Sequence, residues 1–298
     1  MMVRLGGNQY GKAEIRVVRV ARGAAAGGGD VIRDWSVSTS LSGDLADSHL
    51  TGDNANVLPT DSQKNRVYAL AREMGAVAPE AFALELGSFF VSSQPPITRA
   101  RVSIEEYGWQ PVGGTGYSFA RTGDLIRTTT VVRDADLGVS VVSGIKDLVL
   151  MNTTASEFWG YPKDPYTTLP ETTDRILATA VNASWRFRPS MVAPPGRPAD
   201  WDGLFAAART AITETFAQAY SYSLQQMLYA LGSAVIKAVP EVCEVRLALP
   251  NKHHFIVDLA PFGLENERAV YHADDRPYGL IEGTVLADDA PAAGIAWT

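Results

Sequence analysis

The sequence predicts an α+β fold in which antiparallel sheets are covered by helices on one face. Two observations predict it. Segments with strand-period alternation come in pairs joined by turn-rich stretches, which makes hairpins and not parallel crossovers. The order strand-strand-helix-helix-strand-strand also runs twice through the 298 residues. The repeat is one of architecture, and it places one unit at residues 1–137 and another at residues 138–298.

The first strand is expected over residues 13–22, where Ile15, Val17 and Val20 are apolar. A Gly/Ala-rich turn over 23–29 leads to a second strand over 31–42. After a polar stretch, 49–59, a helix over 61–74 sets Val67, Leu70, Ala71 and Met74 on one face, with Gly75 at its C-terminal cap. Pro79 opens another helix, in which Phe82, Leu86, Phe89 and Phe90 recur at helical spacing. Strands over 98–109 and 124–133 complete the first set. Alternating Arg127, Thr129, Val131 and Arg133 suggest a second sheet face open to water or a lumen.

The second half offers strands over 140–152 and 175–187, then helices over 202–219 and 223–238. Further strands are expected over 241–249, 254–259 and 279–286. Broad sheets covered on one face leave long edges, and closing into a barrel removes them, so an oligomer is expected.

Composition narrows the function. With 46% hydrophobic residues the chain can fill a sizeable core. A net charge of −7, 33 acidic against 26 basic residues, with no basic stripe, argues against nucleic acid. The single cysteine, Cys243, sits in an apolar strand as a packing residue and suits a reducing compartment. No segment reaches the ~18 apolar residues of a membrane helix, and the N-terminus lacks a signal-peptide core. The end, Ala296-Trp297-Thr298, is not a peroxisomal address, so a cytoplasmic protein is expected.

Four histidines and one cysteine show no metal-ligand spacing, so no metal is expected. His253 and His254, adjacent on a strand, should face opposite ways. Gly113-Gly114-Thr115-Gly116 lacks the following lysine and strand-to-helix turn of a phosphate loop and reads as a plain loop. What remains is bland residue by residue. Lys12 fits a solvated lysine ahead of a strand, Thr60 a helix N-cap, and Asp61 a first-turn acid. Phe158 fits a core, Arg175 a surface pair, and Asn251 a turn after Pro250. Gln225 carries no local signal.

Together these residues lie in longer segments: Tyr10-Gly11-Lys12; Gly52-Asp53-Asn54 and Thr60-Asp61-Ser62-Gln63-Lys64-Asn65; Phe158-Trp159-Gly160; Tyr166-Thr167-Thr168-Leu169-Pro170-Glu171 and Asp174-Arg175-Ile176-Leu177; Ser223-Leu224-Gln225; Leu249-Pro250-Asn251-Lys252-His253; and Gly279-Leu280-Ile281-Glu282-Gly283-Thr284-Val285. In this order, along nearly the whole chain, they resemble the motifs of the urate oxidase family. The resemblance implies the tunnelling fold: two tandem units per chain, dimers closing a barrel, and two barrels stacked in a homotetramer.

It also implies a site between subunits that binds urate and O2 with no cofactor. Phe158, Arg175, Leu224, Gln225, Asn251 and His253 would come from one chain, and Lys12, Thr60 and Asp61 from its neighbour. Phe158 would stack on the flat anion and Arg175 would clamp one edge with two charge-assisted bonds. Gln225 would read the opposite edge, Leu224 would offer backbone, and the Thr60 and Asp61 amides would face the ring. Lys12, Thr60 and His253 would form a proton relay, and Asn251 with Thr60 would hold O2. Leu224, where the family often has valine, and His254, where it often has an aromatic residue, depart from the pattern.

Two other readings stand beside it. Another tunnelling-fold enzyme acting on pterin-like rings would need a zinc ligand set that this sequence lacks. A non-catalytic purine-binding protein would keep Phe158, Arg175 and Gln225 with no use for Lys12 and Thr60.

Overall fold

The computed structural model describes residues 2–192, 199–274 and 276–298. The chain divides into two compact units: Met1–Gly144 with Trp185–Gly203 and Ala290–Thr298, and Ile145–Ser184 with Leu204–Asp289.

The first unit carries β1 (Tyr10–Ala21), β2 (Val31–Gly43), a short α1 (Ala46–Leu50), α2 (Thr60–Met74), α3 (Pro79–Ser93), β3 (Ile97–Pro111) and β4 (Phe119–Asp134). Its strands pair antiparallel in the order β1-β2-β3-β4. Helices α2 and α3 bury the apolar faces that the spacing predicted, with Val67 and Leu70 from one and Phe82, Leu86 and Phe90 from the other. Trp35 of β2 is wholly buried against Phe82, ring centroids 4.9 Å apart. The short α1, which was not expected, runs into the start of the polar stretch 49–59.

The alternation in β4 runs opposite to the expected sense. Arg127, Thr129 and Val131 are buried, and Arg133 packs beside Gly87 of α3, so this row faces the helices. Ser36, Ser38, Ser103, Thr128 and Thr130 instead line a polar groove of about 450 Å³. Arg127 tolerates burial because it is matched: its Nη2 donates to Glu80 Oε2 at 2.6 Å and its Nη1 to Asp202 Oδ1 at 2.6 Å. Glu80 also accepts from Ser143 Oγ at 2.6 Å and Thr129 Oγ1 at 3.1 Å.

Strands β5 (Gly138–Asn152) and β6 (Leu177–Phe187) begin and end in different units. The second unit adds α4 (Trp201–Gln218) from Leu204 on, α5 (Leu224–Ala238), β7 (Val242–Pro250), β8 (His253–Ile256), β9 (Tyr271–Asp274) and β10 (Leu280–Leu286). Hydrogen-bonded neighbours run β5-β6-β7-β10, while β8 and β9 form a separate ribbon. Helix α5 lies so close to β10 that a Cβ on Gly232 would meet Val285 Cγ2 at 2.5 Å. Cys243 is fully buried in β7.

The strand expected over 254–259 is thus shorter and lies outside the main sheet. The turn after β7 explains it, because Asn251 N donates to Gly279 O and Lys252 N to Ala178 O, each at 2.8 Å. Those bonds end the ladder and turn the chain out into the ribbon. The Gly113–Gly116 stretch sits in the β3–β4 turn, with Gly113, Gly114 and Gly116 at positive φ.

Arg127→Met strands a buried carboxylate on Glu80 and should lower unfolding stability by about 3–5 kcal/mol, read from the denaturant midpoint. The Asp202 carboxyl is also perturbed. Burial opposes its ionisation, but hydrogen bonds and charge from Arg33 and Arg127 outweigh this and hold it below its ordinary value. The unfolded chain therefore takes up that proton more readily. The contribution is present above the ordinary Asp value of about 3.9 and is lost as pH falls through the lower folded value. Stability measured against pH in Asp202→Asn should fall less steeply below about pH 4 than in the parent.

Candidate functional site

The nine candidate residues fall into two sets, one in each unit. In the first unit, Lys12 lies inside β1, not ahead of it. A bulge follows it directly: Lys12 pairs with Thr39 and Ile15 with Val37, with Glu14 at φ 55°. Gly11 is required here, since a Cβ would sit 1.8 Å from the Thr39 carbonyl oxygen. A bulge re-aims the side chains beside it, which suits a lysine with a task.

Thr60 does not cap α2. Pro59 holds the N-cap position, no side chain caps the helix, and Thr60 is its first helical residue. Its hydroxyl is therefore not spent on the cap, and the first-turn N–H groups retain the unfilled donor capacity of a helix start. Asp61 is exposed, and its carboxyl is held below the usual value, first by a hydrogen bond from Lys64 and its charge, with Lys12 a smaller contributor. Lys12 and the start of α2 are therefore within electrostatic reach.

Two residues that single-residue reasoning missed hold this set together. Thr39 Oγ1 donates to Gln63 Oε1 at 2.8 Å, and Gln63 Nε2 donates to Leu58 O at 3.3 Å. Tyr10 Oη donates to the same carbonyl at 3.0 Å. Gln63 is fully buried, an unusual state for a helix glutamine, and it ties the strand beside Lys12 to the first turn of α2. Its place in the Thr60–Asn65 segment was the available signal.

In the second unit, Phe158, Arg175, Asn251 and His253 line one cavity of about 320 Å³, together with Thr172, Phe255, Ile256 and Tyr271. Phe158 is fixed by two main-chain bonds with Thr172, of 2.8 and 3.0 Å. Tyr161 covers its ring, centroids 4.8 Å apart and planes within 17°. The Arg175 guanidinium carbon lies 5.2 Å from the Phe158 centroid. Burial pushes the Arg175 pKa down from its ordinary value, and among the described residues no carboxylate pairs with it. Arg175 is therefore no surface ion pair; it is a desolvated cation facing a pocket.

His253 stands on the rim, its ring stacked on Phe255 at 5.7 Å between centroids. His254 also borders the cavity although it is its strand neighbour, and its Nδ1 lies 3.0 Å from the Lys252 carbonyl oxygen. Leu224 and Gln225 open α5 and do not line the cavity. Leu224 is buried, Gln225 exposed. Ser223 Oγ caps that helix by accepting from Gln226 N at 3.1 Å. The helix start is nonetheless tied to the Phe158 segment, since Glu157 N donates to Ser221 O at 2.8 Å and Ser221 N to Ala155 O at 2.9 Å. Tyr161, next to the Phe158-Trp159-Gly160 motif, and Ser156, two residues before it, were not singled out from sequence.

A flat aromatic wall, a half-buried cation with no carboxylate partner among the described residues and a polar rim suit a planar anion. Comparison with known proteins agrees with that chemistry. The Uricase family model matches residues 8–132 and 141–282. A uricase of Arthrobacter globiformis is 43% identical over 296 residues, 99% of this chain and 94% of that protein. One from Dictyostelium discoideum is 36% identical over 95% of this chain and 98% of its own length. The crystal structure of uricase from Arthrobacter globiformis superposes with a TM-score of 0.90 at 42% identity, covering 98% of both chains. A urate oxidase structure from Bacillus sp. TB-90, 22% identical, shares the fold at a TM-score of 0.79, covering 94% of this chain and all of that one. A family match over residues 8–132 and 141–282, with a 43% identical relative over nearly the whole chain, means that the chain belongs to the uricase family.

Proposed function

We propose that this protein oxidises urate with O2 and water to 5-hydroxyisourate and hydrogen peroxide. The observation that carries the reading is Arg175, desolvated and without a carboxylate partner among the described residues, on the cavity that holds Phe158, Asn251 and His253. A guanidinium in that state supplies two parallel donors to a planar anion, which a lysine cannot. Phe158 provides the apolar wall, and stacking of a purine ring is worth about 1–3 kcal/mol. Gln225, exposed at the start of α5, offers an amide donor and acceptor for the opposite edge, and Leu224 offers its backbone.

Lys12, Thr60 and His253 act as the proton relay, with Lys12 receiving a proton through the Thr60 hydroxyl. The resulting urate dianion is reducing enough to transfer an electron to O2 without metal or flavin. Asn251 and Thr60 hold O2, then peroxide, then water, above the ring. Atoms balance: urate gains one oxygen from water, and O2 leaves as peroxide with two protons.

The reading includes a homotetramer of tandem tunnelling-fold chains, units 1–137 and 138–298, as the motif resemblance implies. Each site takes Lys12, Thr60 and Asp61 from a neighbouring chain. The amides of Thr60 and Asp61 at the start of α2 suit the ring anion. One buried cysteine suits a cytoplasmic protein.

The deciding experiment mixes chelator-treated protein with urate and follows urate absorbance, O2 uptake and peroxide. Stoichiometric O2 consumption without added metal is expected; turnover that returns only on metal addition rejects the cofactor-free reading. Lys12→Met should lose turnover by about 10²–10⁴-fold while still binding xanthine, a ring of similar shape that lacks the 8-oxo group. Arg175→Lys should weaken xanthine binding by about 10–100-fold in calorimetry, and an unchanged constant removes the clamp.

A further inference from the structure

The cavity's cation is not positioned by its own backbone alone. Ser156 is wholly buried, and both its main chain and its side chain serve Arg175: the carbonyl accepts from Arg175 N at 2.8 Å and the hydroxyl from Arg175 Nε at 3.3 Å. The same residue forms a bridge with Ser221, itself fully buried, whose hydroxyl donates to Ser223 O at 3.1 Å. Ser223 in turn caps α5, two residues ahead of Gln225. One short chain of serines thus connects the clamp to the helix start that carries the opposite reader. Ala155, beside it, sits at φ 60°, a left-handed conformation that costs a non-glycine residue energy.

We propose that Ser156 is a positioning residue for Arg175. By taking Nε–H, its hydroxyl leaves only the terminal guanidinium nitrogens to face the ligand, so an anion is clamped end-on and not side-on. A guanidinium has two edges that can form a bidentate pair, and they differ in direction. Fixing which one is presented selects where the ligand's two acceptors must lie relative to the Phe158 ring. The Ser221 and Ser223 bonds set the start of α5, and with it Gln225, against the same reference. The inference rests on the urate reading of this site.

Its test is a double-mutant cycle on the whole protein, Ser156→Ala in the parent and in an Arg175→Lys background, with urate kinetics, xanthine binding and thermal unfolding. Ser156→Ala removes one oxygen and adds no bulk. In the parent it should raise KM for urate and the xanthine constant about tenfold, or about 1.4 kcal/mol, with Tm little changed. The value of kcat should stay within about twofold, since a clamp lost equally from ground and transition states affects binding alone. In the Arg175→Lys background, which lacks Nε, the same change should alter binding by less than about twofold. Ser156→Thr, which keeps the hydroxyl, should bind xanthine more tightly than Ser156→Ala.

An equal loss in both backgrounds, or a constant KM in the parent, overturns the proposal. If the parent oxidises urate and the cycle shows no coupling, only the positioning role fails. If the parent does not oxidise urate, the functional reading fails, and the xanthine cycle still decides the role of Ser156.

Discussion

A sheet covered by helices on one face must answer every polar group that the helices trap, and in the first unit this falls to Glu80. Its carboxylate is almost completely buried between α3 and the sheet, where it meets Arg127, Thr129 and Ser143. An unpaired charge there would cost several kcal/mol, whereas a fully bonded one fixes the helix in register and rotation. The row Arg127–Thr129–Val131 is consequently turned inward, and the row Thr128–Thr130 is left for the polar groove. The same network reaches Trp35 through Glu106, whose Oε1 accepts from Trp35 Nε1 at 3.0 Å. Packing of this buried tryptophan and pairing of the buried charges are one problem with one solution.

The second unit applies the same physics to a different end. Arg175 is only partly buried, where Arg127 is almost wholly so, and among the described residues no carboxylate meets it. The main chain around it is therefore unusually well held. Phe158 and Thr172 exchange both of their bonds, Ser156 accepts from Arg175 N, and the turn at Asn251 and Lys252 is pinned to neighbouring strands. These irregular segments are fixed by main-chain bonds of their own, outside the regular ladder. The β8–β9 ribbon then completes the cavity wall with Phe255, Ile256 and Tyr271.

The two candidate sets are built by different local devices. A strand bulge aims Lys12, and a proline N-cap releases the Thr60 hydroxyl; a buried glutamine joins the two. Around Phe158, short isolated bridges do the work that regular strands do elsewhere. Neither device has a periodic signature, and in both a candidate residue stands beside one whose hydrogen bonds hold the local chain.

Sequence by itself determined the fold class, the paired order of strands and helices, and the apolar faces of α2 and α3. These follow from local periodicity, which each segment carries within its own residues. The candidate residues were legible only through whole motifs, since Lys12, Thr60 and Arg175 each had an adequate local explanation. Tertiary structure decided which row of β4 faces inward, because burying Arg127 depends on Glu80, 47 positions away in sequence. It also sent residues 253–256 out of the sheet, through bonds to Gly279 and Ala178. Burial of Arg175 and the hydrogen bonds of Ser156 likewise arise between segments that are distant along the chain, where no local pattern can record them.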